Sequence, residues 1–480
     1  MNERKGTSNK RIYIALGLVL LVGISVLAYV MLLPVGKAAA IEPSSTKVFG
    51  TTSQTSQFVT EYAMDPSSEP TSIGVDSSGM VWFTAGADFA LGELNPLNGT
   101  VHEYLLPRPS NANASLYGGG IYVDSSRGNV WFTDDYDNCV WEFSMSARTF
   151  RQFTIPLQSS EPLQVRVDNE GNAWFTDYIG NFLGEIRASD SALIEYQVPL
   201  AHSNRGLQGG PVGLAIDSSG NIWVAEAAAD ALSVFSNGAF GTVYNLSSIL
   251  QLPTGVAVDS DGNVWVTQHG PSLVTCLDPG TNSFETLSTS KVGYGATLPY
   301  YIQVDSQGNV WFDEHYGNSI AEFVSSTATM YEYRIPTAMP QLGNISGAVS
   351  LALSQTGQPW FIEQYSGKLG TVDVSKSVDL ALNVTESGAL APGQGNLTFH
   401  VSVTGAAGLS SRLDAEEGNL TTNLEFSMPQ SSGVGSYNST ISVSQGSATL
   451  PSQETVTISV VTGSVIVSKV VTLSVQEGVT

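Results

Sequence analysis

From Phe58 to Val372 apolar residues come in short runs, often alternating with polar ones, and turns rich in Gly, Asp, Ser and Asn cut the runs apart. Alternation with a period of two puts one face of a strand into a core, and runs this short predict strands rather than helices. One segment of this texture recurs seven times. It reads GVDSSGMVWFT ending at Thr84, YVDSSRGNVWFT at Thr133, VRVDNEGNAWFT at Thr176, LAIDSSGNIWVA at Ala225, VAVDSDGNVWVT at Thr267, IQVDSQGNVWFD at Asp313 and LALSQTGQPWFI at Ile362. Its tryptophans, Trp82, Trp131, Trp174, Trp223, Trp265, Trp311 and Trp360, are 49, 43, 49, 42, 46 and 49 residues apart.

Each repeat has room for four strands. An apolar strand meets Asp-Ser-x-Gly-Asn, a hairpin signal because Gly and Asn accept positive φ and Asp caps its own turn. The Trp strand follows, then a third such as Leu91-Gly92-Glu93-Leu94, then a fourth such as Ile194-Glu195-Tyr196-Gln197-Val198. Four-stranded units at this period predict the blades of a seven-bladed β-propeller over residues 58–373. The seventh repeat stops after Gly370-Thr371-Val372, but Phe58-Val59-Thr60-Glu61-Tyr62-Ala63-Met64 matches the missing fourth strand. The N-terminal strand is therefore expected to close the ring and remove its loose edge. The tryptophans read as packing residues between blades.

Residues 377–478 change to alternating runs without Trp, among them VDLALNVT, GNLTFHVSVTG, YNSTISVS and TVTISVVTG. Strands every ten to fifteen positions suggest an immunoglobulin-like β-sandwich. At the other end, residues 12–33 carry no charge and are long enough to form one N-terminal transmembrane helix. Arg4, Lys5, Lys10 and Arg11 precede this stretch, so residues 1–11 are expected in the cytoplasm, residues 34–57 as a spacer, and the folded domains outside the cell membrane. A cleaved signal peptide ending near Ala38-Ala39-Ala40 is the alternative.

Composition narrows the functions. The chain is 42% apolar and 13% charged, with a formal net charge of −24, which disfavours nucleic acid because that binding relies on Lys and Arg. Cys139 and Cys276 fall in separate blades and read as two free thiols. Asn-x-Ser/Thr acceptors at Asn98, Asn113, Asn245, Asn344, Asn383, Asn396, Asn419 and Asn438 are candidate N-glycan sites. No Gly-x-Ser-x-Gly elbow, phosphate loop or His-Glu-x-x-His motif is present.

The recurring P-x-G-[VIL]-x-[VI]-D…G-N-x-W-F-T, with N-x-[IL]-G-x-[IL] and E-Y-x-[IVL]-P behind it, resembles the streptogramin B (virginiamycin B) lyase family of seven-bladed propellers. That resemblance implies ring opening of a cyclic ester by elimination, with a histidine base and a carboxylate-held Mg²⁺. In the family the histidines directly follow the Pro that opens an inner strand. Here Thr71, Leu163, Val212, Thr254 and Tyr300 follow the equivalent prolines, so the family's base is missing from its place.

What the chain offers instead lies three and four positions after each Trp: Asp134, Asp135, Asp177, Glu226, His269, Glu314, His315 and Glu363. Converging on one funnel mouth, Asp134, Asp177, Glu226, Glu314 and Glu363 are candidate ligands for Mg²⁺ or Ca²⁺, and His269 and His315 candidate bases. Habitual acidic loop residues and ordinary hydrogen-bonded histidines are the plainer reading of the same positions. Three functions are open at this point. One is a membrane-anchored propeller that binds a small molecule or cell-surface partner at the funnel. The others are a metal-dependent carbon–oxygen lyase and a lactonase-like hydrolase.

Overall fold

A computed structural model describes residues 53–55, 57–64, 68–107, 119–157, 160–199, 210–246, 251–387, 396–405, 409–417, 424–428, 431–445 and 453–474. Among the described residues the regular elements are strands and two short 3-10 helices, joined by turns and loops, and seven sheets follow the seven repeats. Blades one to five each hold four consecutive antiparallel strands, over 70–105, 121–154, 162–197, 211–245 and 253–288. Blade six holds 299–334. Blade seven takes three strands from 348–372 and its fourth from Val59–Ala63, paired from Val59 with Val372 to Ala63 with Lys368, with Ser53–Thr55 adding a short fifth strand at the edge. The expected closure is thus present, and Glu61 locks it. Its buried carboxylate accepts Lys368 Nζ at 2.7 Å, the Thr337 backbone N–H at 2.8 Å and Thr337 Oγ1 at 2.8 Å.

The repeated residues have separate jobs. In the inner hairpin the Asp carboxylate accepts backbone N–H groups of its own turn while Gly takes positive φ, as at Gly171 (φ 92°). In five blades the same carboxylate accepts the indole N–H of the following Trp, at 2.8 Å for Asp168 and Trp174 and at 3.0 Å for Asp259 and Trp265. Each Trp is buried; Trp82, for example, packs against Ile121, Val130 and Phe132 of the next blade. The Asn that opens the third strand sits at positive φ, as at Asn181 (58°), and ties down the route to the next blade: its Nδ2 donates to Val198 O and its Oδ1 accepts the Gly210 N–H. The third-strand Gly lies directly across from the Phe after Trp, as in Phe83–Gly92, Phe175–Gly184 and Phe361–Gly370. Phe312 faces Ala321, and Val224 and Val266 face Ser233 and Thr275; blade two departs from this matching of large with small, since Phe132 faces Trp141 and the two rings stack 6.5 Å apart.

Behind the propeller, two sheets enclose a second core that includes Phe399, Val401, Ile441 and Val443 on one side and Leu413, Val456, Ile458 and Val460 on the other. One sheet orders its strands Leu380–Ser387, Asn396–Gly405, Tyr437–Gln445, Leu424–Ser427. The other orders Ser432–Val434, Ser410–Glu417, Gln453–Val461, Val465–Ser474, and it continues blade six: Tyr331 pairs with Val467 and Glu332 with Ile466. The result is one eight-stranded sheet shared by propeller and sandwich. Cys139 and Cys276 are free. Among the described residues no helix is long and apolar enough to cross a membrane; residues 12–33, where the transmembrane helix is expected, lie outside the described residues, as does most of the spacer.

Candidate functional site

The inner strands start, and the Trp strands end, on the same face of the ring. Their side chains line a central cavity of about 420 Å³. The residues after the inner-strand prolines, Thr71, Leu163, Val212, Thr254 and Tyr300, all reach it, joined by Val349 of blade seven. So do the residues four positions after Trp in five blades: Tyr178, Ala227, His269, His315 and Gln364. The sequence reading placed the family's missing base at the first set, and those positions do face the cavity with hydroxyl, aliphatic and phenol groups.

His269 and His315 come from adjacent blades and stack, with ring centroids 5.0 Å apart and planes at 17°. The Tyr300 ring meets His269 edge-on at 5.8 Å, and His269 Nδ1 lies 3.3 Å from the Pro299 carbonyl. Burial holds the His269 imidazole below its usual range, opposed by that carbonyl. Burial first, and the His269 ring second, bring His315 down to about 4, with the Leu298 backbone opposing. At neutral pH both rings are uncharged, each with one donor and one acceptor nitrogen.

The carboxylates three positions after Trp do not line this cavity. The Trp strand ends at position three, whose side chain turns into the blade, while position four opens the turn beyond it and in five blades reaches the cavity. Asp134, Asp177, Glu226, Glu314 and Glu363 are buried within their blades instead. Asp134 accepts the Trp141 indole N–H at 3.1 Å and the Asp137 N–H at 3.0 Å. Asp177 accepts the Glu161 and Gly180 N–H groups, both at 2.9 Å. Glu226 accepts from the Ser233 hydroxyl, and Glu363 from Ser366 Oγ at 2.9 Å. Glu314 shares the blade-six interior with Glu332 and Arg334. Burial pushes Glu226 up to about 7. It pushes Glu363 to about 8, with Glu61 adding to the effect, and Glu314 well above the carboxylate range, with Glu332 adding.

These groups are held apart, each within its own blade. Among the described residues no three His, Cys, Asp or Glu side chains are grouped so as to hold a metal ion. A Mg²⁺ or Ca²⁺ centre built from the five carboxylates therefore does not fit the residues present, and His269 and His315 are the members of the expected set that reach the cavity. Asp135, four after Trp131, is pushed up to about 6 by burial and then by Asp134, and is not among the cavity's lining residues. The sequence reading missed Glu161, Tyr178, Tyr301 and Gln364; the fourth place after Trp, the first residue beyond the Trp strand, marks Tyr178 and Gln364.

Solved structures of the same fold include a streptogramin B lyase, 21% identical, covering 66% of this chain and 97% of that one at a TM-score of 0.57. A virginiamycin B lyase from Staphylococcus aureus is 20% identical over 66% of this chain and 100% of that one, with a TM-score of 0.56. A catalytically inactive form of the Staphylococcus aureus enzyme, with quinupristin, matches at 21% identity, the same coverage and a TM-score of 0.56. No curated protein matches the chain in sequence. The sequence profile of the Virginiamycin B lyase family matches residues 45–290, which reaches through blade five. By that match, and by the propeller it shares with these enzymes, the chain belongs to the Virginiamycin B lyase family.

Proposed function

We propose that this member of the family is a membrane-anchored, extracytoplasmic propeller that binds a neutral, partly aromatic small molecule in its funnel. The observation that carries this reading is the cavity wall: aliphatic, phenol, hydroxyl, amide and uncharged imidazole groups around about 420 Å³, with Glu161 the one carboxylate among its lining residues and the carboxylates three positions after Trp turned into the blades. Such a wall takes apolar surface and fixes it with a few polar contacts, as ligand pockets do. Anchoring rests on residues 12–33 and the basic residues before them. Exposure of Asn98, Asn245, Asn344, Asn383 and Asn438 supports N-glycan attachment outside the cell. The strand orders of the two C-terminal sheets support an immunoglobulin-like sandwich as the companion module.

One observation favours the lyase-like alternative: His315 presents an uncharged imidazole to the cavity, the form a base requires. A ligand screen by saturation-transfer NMR on the detergent-solubilised full chain separates the two. Neutral aromatic fragments and cyclic esters, quinupristin among them, are tested against the unaltered protein, Tyr300→Ala and His315→Leu. Binding readings require ligands that compete for one site, weaken in both variants and leave intact with or without Mg²⁺. Ring opening that disappears in His315→Leu replaces this reading with the lyase, and ligands bound equally by all three proteins remove the funnel from consideration.

A further inference from the structure

The axial channel continues below the funnel. Tyr301 lines the funnel and donates its hydroxyl to the Gly119 carbonyl across the axis. Beyond it lies a second cavity of about 300 Å³, walled by the lower ends of the inner strands of blades two to six. Most of that wall is aliphatic. Arg166, on the inner strand of blade three, is its one charged residue.

Arg166 lies deep in the molecule yet touches the lumen, and no carboxylate among the described residues pairs with it; its electrostatic neighbours are the phenols of Tyr301 and Tyr122. The guanidinium sits over the Tyr122 ring at 6.0 Å, and Nη1 donates to Val165 O at 2.8 Å. A guanidinium carries five N–H donors, so most of this one's capacity stays open toward the cavity. Arg127, near the same end of the ring, shows the ordinary arrangement: Asp124 neutralises it at 3.0 Å. The hairpin carboxylates of Asp168, Asp217, Asp259 and Asp305 are engaged by their own turns and tryptophans. In a chain of net charge −24, an inward-facing cation without a carboxylate partner calls for a counter-ion from outside.

We propose that Arg166 holds a small oxyanion, a carboxylate or phosphate group on a molecule that fits the 300 Å³ cavity, at a site distinct from the funnel. The planar fork of the guanidinium matches two oxygens of either group. Tyr122, whose ring packs under the guanidinium, holds the fork in place.

Thermal melting of the detergent-solubilised full chain at pH 7, titrated with inorganic phosphate or succinate against chloride of equal ionic strength, tests this. Saturable stabilisation by one or both oxyanions, and not by chloride, is expected, because a ligand that binds only the folded state raises its stability. The arm that saturates at lower concentration identifies the group. Arg166→Met, which keeps the apolar stem, should weaken binding at least tenfold, and Arg166→Lys should retain part of it. Should Arg166→Met fail to fold, phenylglyoxal labelling of the unaltered protein gives the answer: the oxyanion should slow modification of Arg166 and leave Arg187 unaffected. Equal shifts with chloride, undiminished binding by Arg166→Met, or labelling of Arg166 that the oxyanions do not slow overturns the proposal.

Discussion

Replacing His315 by Gln should remove a defined part of the protein's sensitivity to acid. In the folded chain the His315 imidazole titrates at about 4, against an ordinary 6.5, because burial and the stacked His269 ring oppose its charge. Between those pH values the unfolded chain binds a proton that the folded chain refuses. Stability therefore falls as pH falls through this window, and is unaffected by this group above about pH 7. The gap between 6.5 and about 4, at about 1.36 kcal/mol per pH unit, amounts to about 3 kcal/mol.

Urea unfolding of both proteins at pH 7.5 and 4.5 measures it. Buried carboxylates such as Asp313 and Glu226, raised to about 7, work in the opposite sense, since the folded form binds the extra proton and gains stability as pH falls. They are common to both proteins and cancel in the comparison. The unaltered protein should lose most of the 3 kcal/mol relative to His315→Gln on going to pH 4.5. Parallel pH profiles would refute the stacked, desolvated geometry from which the figure comes.

Two further outcomes follow from the repeat. In Gly184→Ala the new Cβ would stand 2.1 Å from Phe175 Cζ, so overpacking should cost about 1–3 kcal/mol, and Phe175→Val in the same chain should recover much of it, as a double-mutant cycle in urea would record. Asp313 fills a place where Thr133, Thr176 and Thr267 donate to the next blade's carbonyl, and burial raises it to about 7; Asp313→Thr should add about 1–3 kcal/mol at pH 8, where the carboxylate must ionise, and less at pH 5.

The ring was legible because its repeat repeats chemistry. Asp, Gly, Asn and Trp each serve one local geometry, and a local geometry needs the same residue every time it recurs. Closure was legible for the same reason, since Glu61 and Tyr62 occupy the outer-strand pattern. The site was half legible. Loops from neighbouring blades were rightly taken to share a face with the inner-strand starts, and Tyr300 and His315 do meet there. Taking positions three and four after Trp together hid the step that matters: the strand ends with Glu314 turned into the blade, and His315, first in the turn beyond it, lines the cavity. Arg166 gave no signal, because a lone Arg in an inner strand reads like any other until its lack of a partner is seen.

The eight-stranded sheet makes propeller and sandwich mechanically continuous. Blade six passes into the sandwich through four paired residues, from Met330 with Ser468 to Tyr333 with Val465, so a tug on the C-terminal module loads backbone hydrogen bonds across the strand direction rather than a slack hinge. The outer strand that closes the ring belongs to the adjacent blade seven, and Asp373 N donates to Phe58 O beside it. Both ends of the folded chain are therefore moored to neighbouring blades; blades one to five stand off the line of pull, whereas the cavity walls that blade six supplies, Tyr300 and His315 above and Ile302 to Val304 below, lie on it.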